Sequence, residues 1–330
     1  MGYAAPSERL GRGARVSHRV VALGGGHGLA ASLSALRRVT DELTAIVTVA
    51  DDGGSSGRLR RDLGVLPPGD LRMALAALCG DDEWGHTWSE VVQHRFQAGE
   101  LSGHAVGNLL IVALWERLGD TVAGLDWLGR LLEARGRVLP MAAVPLDIEA
   151  VVQLDPDSEP GTVRGQAQVA IAPGEVRGIR LVPADPPACP EALQAIKTAD
   201  WIVLGPGSWY TSVLPHLLVP ELAAALTETK ARRLVALNLV AQPGETAGFS
   251  PQRHLEVLAE HAPGLRIDTV LADSGAVADG TALREACAVL GAEVVLAPVA
   301  ASDGSPRHDP ERLALAYEQV FNRGRIDPWP

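Results

Sequence analysis

Two adjacent carboxylates, Asp51 and Asp52, are followed at once by Gly53, Gly54, Ser55, Ser56 and Gly57 in the segment ADDGGSSGRLRR (50–61). Paired aspartates at the end of a strand suit a hydrated magnesium ion, which takes one or two carboxylates and completes its shell with water and phosphate oxygens. The neighbouring serine hydroxyls and glycine N–H groups suit an anion. A second segment, Gly24-Gly25-Gly26-His27-Gly28, lies between an apolar run and a helical pattern. Glycines there let backbone N–H groups approach a phosphate at the positive end of a helix. A third, Gly205-Pro206-Gly207-Ser208-Trp209-Tyr210-Thr211-Ser212, repeats that logic late in the chain. Two such turns fit a ligand with two phosphates, or a nucleotide with a second group.

Further polar residues fall after other apolar runs. Asp70 follows Pro67-Pro68-Gly69 and reads equally as a helix cap or a weaker metal ligand; Arg72 is close behind. His104 and Asn108 sit in LSGHAVGNLL (101–110), where Asn108 is the stronger ligand-reading candidate. Asn238 opens NLVAQPGET (238–246), and Arg307 stands in PRHD (306–309), where it reads equally as a phosphate partner or a solvated charge. The candidate phosphate-binding set is thus Gly24, Gly25, Gly26, His27, Gly28, Gly53, Ser55, Asn108, Gly205, Gly207, Ser208, Tyr210, Thr211, Asn238 and Arg307. Asp51 and Asp52, with Asp70 behind them, are the candidate magnesium ligands, and no tightly bound cofactor is expected. The aspartates also suit a ribose contact in a nicotinamide-dependent oxidoreductase, although no proton donor accompanies the first loop. There is no Walker lysine, GxSxG elbow, HExxH or CxxC pattern.

Short apolar strands alternating with helices must position these turns. Arg19–Leu23, Thr44–Val49, Trp201–Leu204, Leu234–Leu239, Thr269–Ala272 and Val294–Ala297 read as buried strands. Ala30–Val39, Asp70–Leu78, Leu109–Leu118, Val122–Arg135, Gln252–His261, Ala282–Leu290 and Pro310–Phe321 read as helices. The pattern predicts an α/β fold with a doubly wound, mostly parallel Rossmann-like sheet. From about Val138 to Pro187 the texture changes. Leu146–Leu154, Val163–Ile171 and Val176–Val182 read as antiparallel strands of a small β-rich insertion. Residues 1–17 read as a flexible tail without a signal peptide, ahead of a single domain over 18–330.

Composition narrows the function classes. The chain has 330 residues, a net charge of -11 and 47% hydrophobic residues. It is long enough for a large core. Its acidity argues against general affinity for nucleic acid, and no apolar run reaches the roughly 20 residues of a membrane span. Cys79, Cys189 and Cys287 are far apart and form no metal spacing, consistent with a reducing, cytoplasmic setting. Glycine, at 35 residues, exceeds the usual ~7%.

The blocks GGGHGLAASLSAL, AIVTVADDGGSSGRLR, PPGDLRMALAAL, LSGHAVGNLL, GPGSWYTSVLPHLLVP and AQPGET resemble the YvcK group of CofD-like proteins, the gluconeogenesis factors, from about Val20 to Phe321. The resemblance implies a nucleotide site at the carboxyl edge of the sheet. By motif it falls on Gly24, Gly25, Gly26, Gly28, Asp51, Asp52, Asn108, Gly205, Gly207, Ser208 and Arg307. The wider family is similar to 2-phospho-lactate transferases, which use magnesium and a guanosine diphosphate derivative. The YvcK branch implies instead a UDP-sugar ligand and a link to cell shape, cell-wall synthesis and gluconeogenic growth. A homodimer and protein partners in cell-wall synthesis are further expectations from it. The sequence departs from the family at His27, where threonine is usual, and lacks a tyrosine in the stretch aligning with Ala286–Cys287.

Overall fold

The computed structural model describes residues 18–323, apart from 156 and 243. The tail expected over 1–17 lies outside them. Seven parallel strands form the main sheet: β1 (Arg19–Gly24), β2 (Glu42–Val47), β3 (Arg137–Pro140), then β7 (Trp201–Leu204), β8 (Arg232–Ala236), β9 (Thr269–Asp273) and β10 (Glu293–Ala297). Their spatial order is β10-β9-β8-β7-β1-β2-β3. The smaller sheet, β4 (Asp147–Gln153), β5 (Gly161–Arg164) and β6 (Glu175–Val182), is antiparallel with β4 in the centre.

The central strands are apolar on both faces because helices cover both. All four residues of β7 are buried, as are the last five of β1. This is the continuous hydrophobic run expected of a parallel strand between two helical layers. On one face the C-terminal helix Pro310–Asn322 packs on α1 (Gly26–Leu36), where Tyr317 and Ser32 share a buried hydroxyl hydrogen bond of 2.8 Å.

The chain runs outward from β1 through β2 to β3, then returns to lay β7 on the other side of β1. The register pairs Leu23 with Ile46 on one side and with Leu204 on the other. β1 and β7 therefore flank the point where the winding reverses, and their carboxyl ends open a crevice.

The structure differs from the sequence reading in four places. The stretch at Val138 is not part of the β-rich insertion. It is β3, the parallel edge strand of the main sheet, where Val138 pairs with Ala45. Val163–Ile171 is not one strand, since β5 ends at Arg164 and a short helix, Gln166–Ala170, follows. Four longer helices are missing from the sequence reading: α2 (Gly54–Leu63), then, after α3 (Gly69–Ala77), α4 (Glu83–Gln93), and later Pro190–Thr198 and Pro220–Glu228. The hydroxyl run after β7 forms a π-helical turn, Trp209–Val213, and then a 3₁₀ turn, Leu214–Leu218. Pro215 lacks the N–H that a regular helix would need there. Among the described residues no helix is long and apolar enough to cross a membrane.

Candidate ligand-binding site

The turns after β1 and β7 meet face to face. A Cβ at Gly28 would overlap the Gly207 Cα and the Pro206 carbonyl oxygen. Only glycine permits two backbones to approach so closely. Gly26 takes φ +55, the left-handed region that glycine enters without strain, and starts α1 there. Its cap, Gly25, offers no side chain to the first turn of α1, and Gly53 likewise begins α2 uncapped. Five other helices are capped by side chains, with Asp82, Asp120, Ser250, Asp279 and Asp309 each accepting first-turn N–H groups, whereas α3 and the helices starting at Val106, Pro190 and Pro220 also begin without such a cap. Asp70 takes the Gly26 N–H, and the remaining first-turn N–H groups of α1 and α2 have no side-chain cap and can meet a ligand.

The second turn is held from behind. The Asn238 amide accepts the Gly207 N–H and donates to the Gly207 carbonyl, both at 2.8 Å. Glu245, 4% exposed, gathers the hydroxyl run. It accepts from the Ser208 hydroxyl, from Thr211 at 2.8 Å and from the Tyr210 N–H at 3.2 Å. These contacts preset the loop around a cavity of about 570 Å³. Its floor is Gly25–Gly28 and Gly207, with Ser208 and Asn238 at one side. Leu239, Val240 and Ala241 form an apolar wall, and Arg307 and His308 stand at the rim.

A smaller cavity of about 200 Å³ adjoins it, lined by Asp51, Ser55, Ser56, Asp70, Arg72, Arg95 and Asn108 among others. The two meet at Asp70, since a Cβ at Gly25 would come within 2.6 Å of its Oδ2. Asp70 accepts the Gly26 N–H, while its Oδ2 is buried without a partner. Burial, then the charge of Asp51, pushes its carboxyl up to about 7. Burial also raises Asp51, against the Gly53 N–H that it accepts at 3.0 Å. Asn108, on α5 (Val106–Leu118), donates to Ser55 Oγ at 3.0 Å and leaves its Oδ1 unpartnered. Ser55 Oγ also meets His104 Nδ1 at 3.1 Å. Arg72 is buried on α3 with its Nε unpartnered.

The structure gathers Gly25, Gly26, His27, Gly28, Gly207, Ser208, Asn238 and Arg307 around the larger cavity. Asp51, Gly53, Ser55, Asp70 and Asn108 gather around the smaller one. Gly24 closes β1 beneath them, and Gly205, at φ +73, turns the chain out of β7. Asp52 faces elsewhere: its Oδ1 accepts the Ala167 N–H at 3.0 Å and starts the helix Gln166–Ala170. Tyr210 is buried, its hydroxyl donating to the Val176 carbonyl at 3.1 Å. Thr211 serves Glu245 rather than the cavity. Arg307 reaches Asp303 and Ser305 on the exposed rim. Ala286 and Cys287 lie on the helix Gly280–Leu290, with Cys287 buried. Sequence reading passed over Glu245, Arg95 and Gln242. Only the AQPGET block carried a hint of the first and the last.

The family profile for 2-phospho-L-lactate transferase CofD matches residues 20–297. A protein of Mycobacterium tuberculosis (strain H37Rv), provisionally named a gluconeogenesis factor, is 56% identical over 310 residues, 92% of this chain and 90% of its own. A Listeria monocytogenes protein named gluconeogenesis factor is 37% identical over 310 residues, 90% of this chain and 94% of its own. The crystal structure of a UPF0052 family member from Bacillus halodurans superposes with a TM-score of 0.82 at 33% identity. It covers 92% of this chain and 99% of its own.

Proposed function

The chain belongs to the CofD family, among the gluconeogenesis factors, and from that premise we propose that it binds a nucleoside-diphosphate sugar of the UDP class. The observation that carries this reading is the contact between Gly28 and Gly207 at the winding reversal. It lines one cavity with two phosphate-cradling turns, and the cavity's size falls within the 300–1,000 Å³ of ordinary ligand sites. The diphosphate lies over Gly25–Gly28 and Gly207, its charge met by the uncapped start of α1 and by Arg307. The Leu239–Ala241 wall supports the base or sugar. A net charge of -11 makes these local groups, not the overall field, the source of affinity. The role is regulatory: a cytoplasmic reporter of nucleotide-sugar supply, linked to cell-wall synthesis, cell shape and gluconeogenic growth through protein partners. Calorimetry with UDP-N-acetylglucosamine is the test. Saturable heat that disappears in Gly28→Ala is expected. No heat with that ligand, alongside binding of a guanine nucleotide, would sink the reading.

A second reading is a magnesium-dependent transferase acting on a nucleoside diphosphate derivative. It is favoured by Asp51 and Asp70, a half-buried and a buried carboxyl lining one cavity, where the charge of Asp51 raises the proton affinity of Asp70. A cation relieves that repulsion and gives the orphaned Asp70 Oδ2 a partner. The residues therefore fit magnesium, with Asp51 and Asp70 as its ligands and Asp52 committed to its helix. Among the described residues no three His, Cys, Asp or Glu side chains gather as a metal site. Phosphate oxygens and water would complete the shell. When bound, magnesium supplies charge stabilisation at the diphosphate. Turnover of a UDP- or GDP-linked substrate that vanishes in Asp70→Asn would establish this reading. Unchanged turnover in that variant would remove it.

A further inference from the structure

The smaller cavity contains more positive character than a magnesium site needs. Arg72 is 4% exposed, lines the cavity and leaves its Nε without a partner. Arg95 stands close enough for its charge to lower the proton affinity of Arg72, after burial itself. Arg95 Nη1 donates only to the Gly103 carbonyl, at 3.0 Å. Among the described residues no carboxylate comes within ion-pair distance of either arginine, although the charges of Asp70 and Asp51 act on Arg72 from across the cavity. The ten-residue helix α2 opens on the same space through Gly54, Ser55 and Ser56, with no side-chain cap on its first turn. Buried donors that lack acceptors are costly unless a ligand supplies them.

Acceptors stand among these donors too: the Asp51 and Asp70 carboxyls line the same cavity, Asp70 with its Oδ2 unpartnered, and Asn108 adds a neutral one. Asn108 is 1% exposed, and its Oδ1 is unpartnered because its amino group is committed to Ser55. A fully ionised oxyanion offers that atom nothing but repulsion. An oxyanion that keeps a hydroxyl offers it a proton.

We propose that this cavity is a separate oxyanion subsite, in which Arg72, Arg95 and the α2 N-terminus accept a phosphate group and Asn108 Oδ1 selects its protonated oxygen. Inorganic phosphate keeps at least one P–OH at neutral pH, whereas sulfate has none. The site therefore prefers phosphate to sulfate although the two have nearly the same size and shape. About 200 Å³ gives room for one such group and a few waters. The inference goes beyond the nucleotide-sugar reading, because the two cavities share no lining residue.

The test is calorimetric titration of the full chain with inorganic phosphate and with sulfate, in metal-free buffer so that no bound cation recruits the anion. Phosphate is expected to bind at least tenfold more tightly than sulfate. Arg95 is exposed on its outer side, so Arg95→Gln should fold and lose about tenfold in phosphate affinity, as expected for one charge-assisted contact. Arg95→Lys should keep most of it. A titration on protein saturated with UDP distinguishes the sources of the group. Persisting phosphate heat marks a free phosphate ligand, and vanished heat marks a phosphate of the nucleotide itself. Absence of phosphate heat, equal affinity for sulfate, or unchanged binding in Arg95→Gln would each overturn the proposal. Gly28→Ala should abolish nucleotide heat and leave phosphate heat intact, so the two readings fail independently.

Discussion

Asn238 holds Gly207 on both sides of its Cα, accepting the N–H and donating to the carbonyl at 2.8 Å each. That pair of bonds replaces the strand partners Gly207 loses on leaving the sheet and sets the angle of its turn. Asn238→Ala removes both and leaves the loop free to sample other conformations. Nucleotide-sugar affinity is expected to fall about tenfold, with a stability loss of about 1–2 kcal/mol. Calorimetry and denaturant unfolding check the two numbers, and an unchanged affinity would show that the loop needs no anchor.

Gly28→Ala tests the contact between the two turns. The new methyl would meet backbone atoms, the Gly207 Cα and the Pro206 carbonyl oxygen, and backbone has no rotamer with which to yield. Overpacking of this kind costs about 1–3 kcal/mol. Either the turns part, and the cavity loses its floor, or the domain is destabilised. Thermal unfolding should show a lower midpoint, and UDP-N-acetylglucosamine should no longer raise it.

The sheet and the glycine turns could be read in the sequence because both leave local marks. Trp201–Leu204 is four apolar residues before a glycine turn, and it forms β7 with those bounds. What escaped has no local mark. The buried face of α2 consists of Ser55, Ser56, Gly57 and Leu59, so no apolar stripe announces a helix. Val138 follows a helix and precedes a Pro- and Gly-rich stretch. Only its long-range pairing with Ala45 reveals that it belongs to the main sheet. Asp51 and Asp52 are indistinguishable as types, yet their neighbours in the fold differ. One carboxyl enters the smaller cavity and the other starts a helix more than a hundred residues away. Glu245 is equally hidden, since all its partners lie across a gap of more than thirty residues.

Glu245→Gln probes that hidden anchor. The carboxylate accepts two hydroxyls and one N–H, and an amide can present only one oxygen to those donors. With that oxygen kept on the two hydroxyls that share Oε1, its NH₂ group would face the Tyr210 N–H, donor against donor. A cost of about 1–3 kcal/mol follows for the donor left unsatisfied. Because Ser208 is held by the same side chain and lines the larger cavity, nucleotide affinity should drop with stability. A variant that loses stability and keeps full affinity would assign Glu245 to the fold alone.

Asp70 links protonation to both stability and cation binding. Its carboxyl is raised from 3.8 to about 7 in the folded chain, chiefly by burial. Between those values the native state holds a proton that the unfolded chain has released, so stability is lost as pH climbs from about 4 towards 7. Asp70→Asn has no proton to give up. It should unfold at a higher temperature than the parent protein at pH 8, by about 4 kcal/mol in stability, and the difference should close as pH approaches 4. Magnesium has the opposite preference, because it binds the ionised pair. It should stabilise the parent protein increasingly as pH rises through 7 and leave Asp70→Asn unmoved. Melting curves at pH 5 and pH 8, with and without magnesium, separate these effects. A variant as pH-sensitive as its parent would show that Asp70 is ionised in the fold throughout.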